Sequence, residues 1–247
     1  MNYKYQLNVE MQTYKDFLLN IKSYFQANSQ TIHKARNELK IVPYNNLSTV
    51  VKSFKVPHII NKIAYTFFRD SKAKKSYEYS LKIGNFTPSP IGYIEFYRNG
   101  LIDESYFISE EFKYDFTIRE PLLQKDFTDR DEVFRAFTRF TLELHNANIF
   151  HNDYSPGNIL IKKENGKFIF KIVDINRMDF FDLDEESRAK NFSKLWASDD
   201  ILTTMAIEYK KYYECSENFI TQVLHYSNKN KSIKNFKKRL KGQEVND

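Results

Sequence analysis

The apolar and polar positions fall into two regimes. Residues 38–56, ELKIVPYNNLSTVVKSFKV, predict two strands around an Asn45-Asn46 turn. Residues 70–83, DSKAKKSYEYSLKI, predict a helix that Asp70 or Ser71 can cap and that Gly84 can stop. Residues 91–97 and 105–112 predict further strands. From about Asp129 the spacing turns helical, with Val133, Phe137, Phe140 and Leu144 on one face. Farther on, Ile159–Lys163 and Lys167–Asp174 are strand-like and enclose Glu164-Asn165-Gly166, a tight-turn signal. A β-rich first half and a helical second half predict two lobes joined near Phe112–Asp115. No internal repeat or low-complexity linker interrupts them.

Composition narrows the class. The 247 residues are 41% hydrophobic and 28% charged, enough to bury a substantial core. The single cysteine, Cys215, excludes an internal disulfide and fits a reducing compartment. The first residues, MNYKYQLNVEMQTYKDF, hold no apolar h-region, so no signal peptide is expected. No apolar run approaches the roughly 18 residues that span a bilayer. The net charge of +6 is a property of the tail: Ser227 to Lys241 holds seven Lys or Arg and no acid, and the remaining 31 basic residues face 32 acidic ones. Ile233, Phe236 and Leu240 fall on one helical face of that tail. Two readings stay open for it, a solvated helix and a segment drawn to an anionic surface.

The hairpin organises the candidate chemistry. In a hairpin the start of the first strand lies beside the end of the second. Asn158 and Asp174 flank those positions, and Asp153 sits on the loop just before. Hard oxygen ligands of this kind suit Mg²⁺, which takes one or two protein ligands plus phosphates and water. A carboxylate beside them, Asp153, can orient or deprotonate a substrate hydroxyl. The bland alternative makes Asp153 and Asn158 turn formers around Pro156-Gly157.

The segment His151-Asn152-Asp153-Tyr154-Ser155-Pro156-Gly157-Asn158 resembles the kinase catalytic loop, H-x-D-x-x-x-x-N, and Asp174-Ile175-Asn176 resembles the metal-binding D-F-G. Leu144-His145-Asn146-Ala147-Asn148-Ile149 is similar to the L-H-x-x-G-I that leads into that loop. Asn148 and Asn176 stand where glycine is usual, and Asn tolerates positive φ well. Upstream, Thr49-Val50-Val51-Lys52 is similar to V-A-I-K, with Val50 and Lys52 on one strand face. Lys52 is expected to bind nucleotide phosphates. Glu78, the one acid after Asp70 in the following helix, is expected to hold it, against the alternative of a solvated Lys and Glu. Ser109-Glu110-Glu111-Phe112 would be the hinge, with Glu110 and Glu111 offering backbone groups to adenine. His151 would brace the loop. Arg177 would meet either an anionic sugar or Asp179, with Asp179 preferred.

Two features depart from kinases at large. No Gly precedes Gly84, so TIHKARNE (31–38) must stand in for the Gly-rich loop, with His33, Lys34 or Arg36 reaching phosphates by side chain. No proline follows Pro156, so the A-P-E segment of protein kinases is absent, which argues against protein substrates. With TVVKSF, LHNANIFHNDYSPGNIL and IVDINRM, residues 30–190 most resemble the lipopolysaccharide core kinase family.

That resemblance implies an α+β, protein-kinase-like bilobal fold. It divides into a nucleotide-binding lobe (1–112) and a catalytic lobe (113–247) ending in the basic tail, about 227–241. It implies ATP and Mg²⁺ as cofactors, Asp153 as the catalytic group, and Asn158 and Asp174 on the metal. The acceptor would be a sugar hydroxyl of lipid A–core, Kdo before heptose, met by cations such as Lys162, Lys171 and Arg177. The location would be cytoplasmic, peripheral on the inner membrane, with the tail on anionic lipid. The alternatives are another small-molecule phosphotransferase of the aminoglycoside or choline type, and a pseudokinase scaffold. No nucleic-acid recognition motif accompanies the tail, so no nucleic-acid partner is expected.

Overall fold

The structure, a computed structural model, describes residues 2–34, 37–240 and 242, with the backbone alone at 33 and 34. The chain divides into two compact units: Met1–Lys113 with Asp174–Asn176, and Tyr114–Val173 with Arg177–Asp247. The boundary follows Lys113 rather than residue 112. Three residues of the D-I-N stretch, which the sequence assigns to the second part, belong to the first.

The first unit opens with β1 (Asn2–Leu7), a 3-10 turn, α1 (Lys15–Leu19) and α2 (Ile21–Ala27). Then come β2 (Thr31–Lys34), β3 (Glu38–Tyr44), β4 (Leu47–Phe54), α3 (Ile59–Phe67), α4 (Lys72–Ile83), β5 (Pro90–Arg98) and β6 (Leu101–Glu110). The six strands form one antiparallel sheet in the order β1-β5-β6-β4-β3-β2. Asn45 and Asn99, both at positive φ, make the β3–β4 and β5–β6 turns. The strand expected over 105–112 runs from 101 to 110.

Alternation along β4 explains why both faces of this sheet are covered. Val51 points to one side and joins Phe17, Leu18, Ile21, Phe25, Ile94 and Ile108 in a core sealed by α1 and α2. Phe54 points to the other side and packs with Ala73, Tyr77 and Tyr93 under α4. Lys52 shares that second face. α4 begins as its sequence demands: Ser71 Oγ accepts from the Lys74 N–H at 3.1 Å, a cap worth about 1 kcal/mol. It ends at Gly84, φ 54°.

The second unit continues with β7 (Phe116–Thr117), α5 (Arg119–Leu123), α6 (Arg130–Asn146), β8 (Ile149–His151), β9 (Ile159–Glu164), β10 (Lys167–Ile172) and β11 (Met178–Phe180). It closes with α7 (Glu185–Asn191), α8 (Asp199–Lys210) and α9 (Phe219–Leu240). The β9–β10 hairpin turns at Asn165-Gly166, both at positive φ, and β7 extends it on the β9 side. β8 pairs with β11, which fixes both ends of the 152–177 segment. The stripe on α6 buries Val133, Phe137, Phe140 and Leu144. On α9 only the first turns are buried, through Phe219, Val223 and Ser227. An antiparallel β-sheet unit followed by a mainly helical one makes this an α+β fold.

β1 is exposed for nearly its whole length and is held by its ladder to β5. Gly92 on β5 permits that approach, since a Cβ there would lie 2.7 Å from the Gln6 carbonyl oxygen. Gly92→Ala should therefore lower stability by about 1–3 kcal/mol, because backbone must shift to make room. Urea unfolding followed by circular dichroism measures this, and an unchanged midpoint would show that β1 is dispensable.

Candidate active site

In the first unit, Lys52 lies mid-sheet on β4, between Leu39 of β3 and Phe107 of β6. Its Nζ donates to Asp174 Oδ1 at 2.7 Å, with the lysine side chain 13% exposed and the carboxylate 34%. A half-buried cation in a sheet needs such a counter-charge, since desolvation alone would oppose its charged form. Asp174 adopts φ 57°, and Asn176 Nδ2 donates to the same Oδ1 at 3.1 Å. The left-handed residue of the D-I-N stretch is thus Asp174, not Asn176. Asn148, by contrast, does sit at φ 60° where the sequence allows a glycine-like conformation.

Glu78 does not hold Lys52. The buried face of α4 is Ala73, Ser76, Tyr77, Ser80 and Ile83. Glu78 falls on the opposite side of the helix, half-buried, with its carboxylate 3.6 Å from Lys74 Nζ. Glu78 is the one acid after Asp70 in this helix, but helical phase places it away from the sheet. The hinge stretch differs too. The Glu110 N–H donates to the Ser89 carbonyl and the Glu111 N–H to the Ser48 carbonyl, both at 2.9 Å. Those amides are committed to the sheet, so an adenine contact from Glu110 or Glu111 must use their carbonyls. Within the 31–38 stretch, Thr31–Lys34 is β2 and Glu38 opens β3. Arg36, and the side chains of His33 and Lys34, lie outside the described residues.

In the second unit, the loop after β8 is locked by His151, which is 1% exposed. Its Nε2 faces the Val173 carbonyl at 3.1 Å, and its Nδ1 faces the Asp153 N–H at 3.1 Å. An imidazole protonated on Nε2 satisfies both, donating to Val173 and accepting from Asp153. Asn158 Nδ2 donates to the Asp153 carbonyl at 2.9 Å, which turns its Oδ1 away as an available oxygen ligand. The Asn158 carbonyl accepts the Val173 N–H at 2.9 Å, one residue before Asp174. The strand expected to reach Asp174 ends at Ile172, because Asp174 leaves the ladder for Lys52.

Asp153 keeps an accessible carboxylate, 39% exposed, with Arg177 Nη1 3.8 Å from Oδ2. Arg177 therefore faces Asp153, and Asp179 is engaged instead by Asn152 Nδ2 at 2.9 Å. Of the other cations expected here, Lys162 pairs with Glu164 on the exposed hairpin. Lys171 lies on the hairpin strand β10, its pKa lowered by burial. Sequence reasoning missed Lys234 of α9, whose charge interacts with Asp153 and whose pKa is lowered mainly by desolvation. Lys234 Nζ sits 3.8 Å from the Trp196 ring centroid. Trp196 itself is at φ 59°, a strained position for a bulky side chain.

Behind the loop runs a chain of directed hydrogen bonds. Arg188 Nη1 donates to Tyr209 Oη at 2.9 Å, and Tyr209 Oη meets His145 Nδ1 at 2.9 Å. His145 Nε2 meets Asn191 Oδ1 at 3.1 Å, and Asn191 Nδ2 donates to the His151 carbonyl at 3.0 Å. One assignment of protons satisfies every step: His145 carries its proton on Nε2 and accepts from Tyr209. Burial holds His145 neutral, its pKa pushed down to about 3.

Each unit by itself offers donors of a kind suited to a phosphotransferase: a lysine paired with a carboxylate, Lys52 and Asp174, in the first, and an amide oxygen, Asn158 Oδ1, beside the Asp153 carboxylate in the second. No family model matches the chain, and no curated protein matches it. Among solved structures, it resembles "WaaP in complex with acyl carrier protein" with a TM-score of 0.58 and 13% identity, over 92% of this chain and 99% of that one. The likeness establishes a shared fold.

Neutral His145 yields a signed pH dependence. The unfolded chain binds a proton near pH 6.5 that the folded chain refuses until about pH 3. Stability should fall as pH drops through that window, by up to about 1.4 kcal/mol per pH unit from this group. Denaturant unfolding between pH 6.5 and 5, above the carboxylate range, should show the slope, and His145→Gln should flatten it. Equal slopes in both proteins would remove His145 as the cause.

Proposed function

We propose that this chain is an ATP- and Mg²⁺-dependent small-molecule kinase that phosphorylates a sugar hydroxyl of the lipopolysaccharide inner core, Kdo before heptose. The observation that carries the reading is the 2.7 Å contact between Lys52 and Asp174, residues 122 positions apart that the kinase resemblance singles out together. The shared fold with WaaP and the locked 151–158 loop support it.

In this reading Lys52 binds the nucleotide phosphates, with Asp174 as its counter-ion when no nucleotide is bound. Asn158 Oδ1 and the Asp174 carboxylate would hold the metal, which would supply positive charge to the transferred group. Asp153 aligns the acceptor hydroxyl and takes its proton. Its backbone is fixed by His151 and Asn158, so little reorganisation remains at the moment of transfer. Arg177 and Lys234 supply positive potential beside Asp153, suiting an anionic sugar such as Kdo better than a cationic alcohol or amino-sugar. With Glu78 turned away from Lys52 and the hinge amides already bonded, a pseudokinase is the second reading.

The tail takes two roles. Lys231 donates to the Ala197 carbonyl and Lys234 covers Trp196, so both serve their own unit. Lys237, Lys238 and Arg239 are exposed beside Ile233, Phe236 and Leu240, and suit a peripheral site on anionic lipid. Among the described residues no helix is long and apolar enough to cross a membrane. Replacing those three cations by Gln should weaken binding to anionic vesicles and reduce its dependence on salt.

Asp153→Asn should abolish phosphate transfer to Kdo-lipid A, read by mass spectrometry, while Mg-ATP still raises Tm by mass action. Asp174→Asn should lose that Tm shift as well. A wild-type chain that neither binds Mg-ATP nor transfers phosphate is a pseudokinase. One that ignores Kdo and heptose lipids but phosphorylates a soluble amino-sugar or choline-like alcohol is a different phosphotransferase.

Lys234→Ala should raise KM for an anionic acceptor several-fold and leave KM for ATP near the wild-type value. The outcome that sinks this role is an equal change in both constants, or none.

A further inference from the structure

α3 is built inside out. Its inward side is polar: Lys62 Nζ pairs with Asp103, and Thr66 Oγ1 accepts the Ile102 N–H at 3.0 Å. Its outward side is apolar. Ile59, Ile60, Ile63 and Phe67 fall within about 100° of helix circumference. All four are exposed, Ile60 by 78%, and Phe68 just beyond the helix is exposed by 80%. No residue of α3 is buried. An ordinary surface helix turns such a stripe to the core, and this one turns it to solvent.

Charge selects the occupant. From Lys52 to Arg69 there is no acidic residue, and Lys55, His58 and Arg69 are exposed around the stripe. A second copy docked by two-fold symmetry would set this cationic rim against itself. The stripe is aliphatic and phenyl side chains standing outward, without the Trp, Tyr or Arg anchors that dominate protein–protein hot spots. A short helix with an apolar outer face and a basic rim matches a segment lying in the bilayer interface.

We infer that α3 is an in-plane membrane-docking helix, inserting Ile59, Ile60, Ile63 and Phe67 into an anionic lipid surface that Lys55 and Arg69 attract. The inference is independent of catalysis and of the tail, since it rests on residues of the first unit alone. Docking through α3 would bring the first unit to lipid-bound molecules.

Co-sedimentation with vesicles of phosphatidylcholine and phosphatidylglycerol tests it on the full chain. The wild-type protein should bind these and not pure phosphatidylcholine. Ile60→Gln/Phe67→Gln should weaken binding about ten-fold or more while Tm stays unchanged, since neither side chain is buried. The same loss should appear when the α3 change is made in a chain already carrying Ile233→Gln/Phe236→Gln in α9. In a complementary variant, Phe67→Trp, brominated acyl chains should quench emission beyond the quenching of Trp196 in the wild type. The inference is overturned if the wild type ignores anionic vesicles or the α3 variant binds as wild type. It is likewise overturned if the Phe67→Trp protein shows no quenching beyond that of the wild type, or if the α3 change abolishes a dimer seen by sedimentation velocity and leaves vesicle binding intact.

Discussion

The second unit depends on a proton direction. His151 can tie Val173 to Asp153 only while its Nδ1 is unprotonated, and Asn191, which donates to its carbonyl, is held in turn by the Nε2–H of His145 behind it. Protonating His151 on Nδ1 puts a donor against the Asp153 N–H, and an unpaired polar group in such a place costs about 1–3 kcal/mol. The loop bearing Asp153 and Asn158 is therefore rigid for an electrostatic reason as well as a packing one. Tyr154 adds the packing: it is fully buried, stacked on Phe137, with its hydroxyl 2.9 Å from Thr141 Oγ1.

The two faces of the first unit's sheet divide the labour. The face with Val51 is apolar and carries stability, sealed by α1 and α2. The face with Lys52 and Phe54 carries a charge among aromatic rings, and its cover, α4, presents Ser76, Tyr77 and Ser80 instead of an acid. Asp174 thus becomes the partner that a half-buried lysine requires. Where a helix acid would leave the Asp free, here the carboxylate is already engaged by Lys52, and under the proposed function a metal or nucleotide would have to compete with this internal ion pair.

The sequence made legible what local chemistry decides. The Ser71 cap and Gly84 stop bound α4, Asn45 and Asn165-Gly166 bend hairpins in register, and the α6 stripe is the face that becomes buried. Some elements lack a local cause. β1 has no buried side to betray it, and is a strand because β5 has an edge to offer. α3 defeats the periodicity argument, since its apolar stripe does not point at a core. Phe17, Leu18, Ile21 and Phe25 did carry a helical spacing that could have placed α1 and α2. Glu78 was assigned by elimination, and helical phase would have put it outside. Lys234 and Trp196 come together only through the path of α9, which no spacing rule anticipates.

The first unit is not a continuous piece of chain: it includes Asp174–Asn176, from the far side of most of the second unit's strands. A ribosome delivers Lys52 some hundred and twenty residues before its counter-ion. Until Asp174 emerges, the nascent sheet holds a lysine without its carboxylate, and the domain is complete only when synthesis has passed the β9–β10 hairpin. Folding in order from the N-terminus is thus interrupted by the topology itself. A fragment ending at residue 113, natural or engineered, would inherit the sheet and lack the charge that settles it.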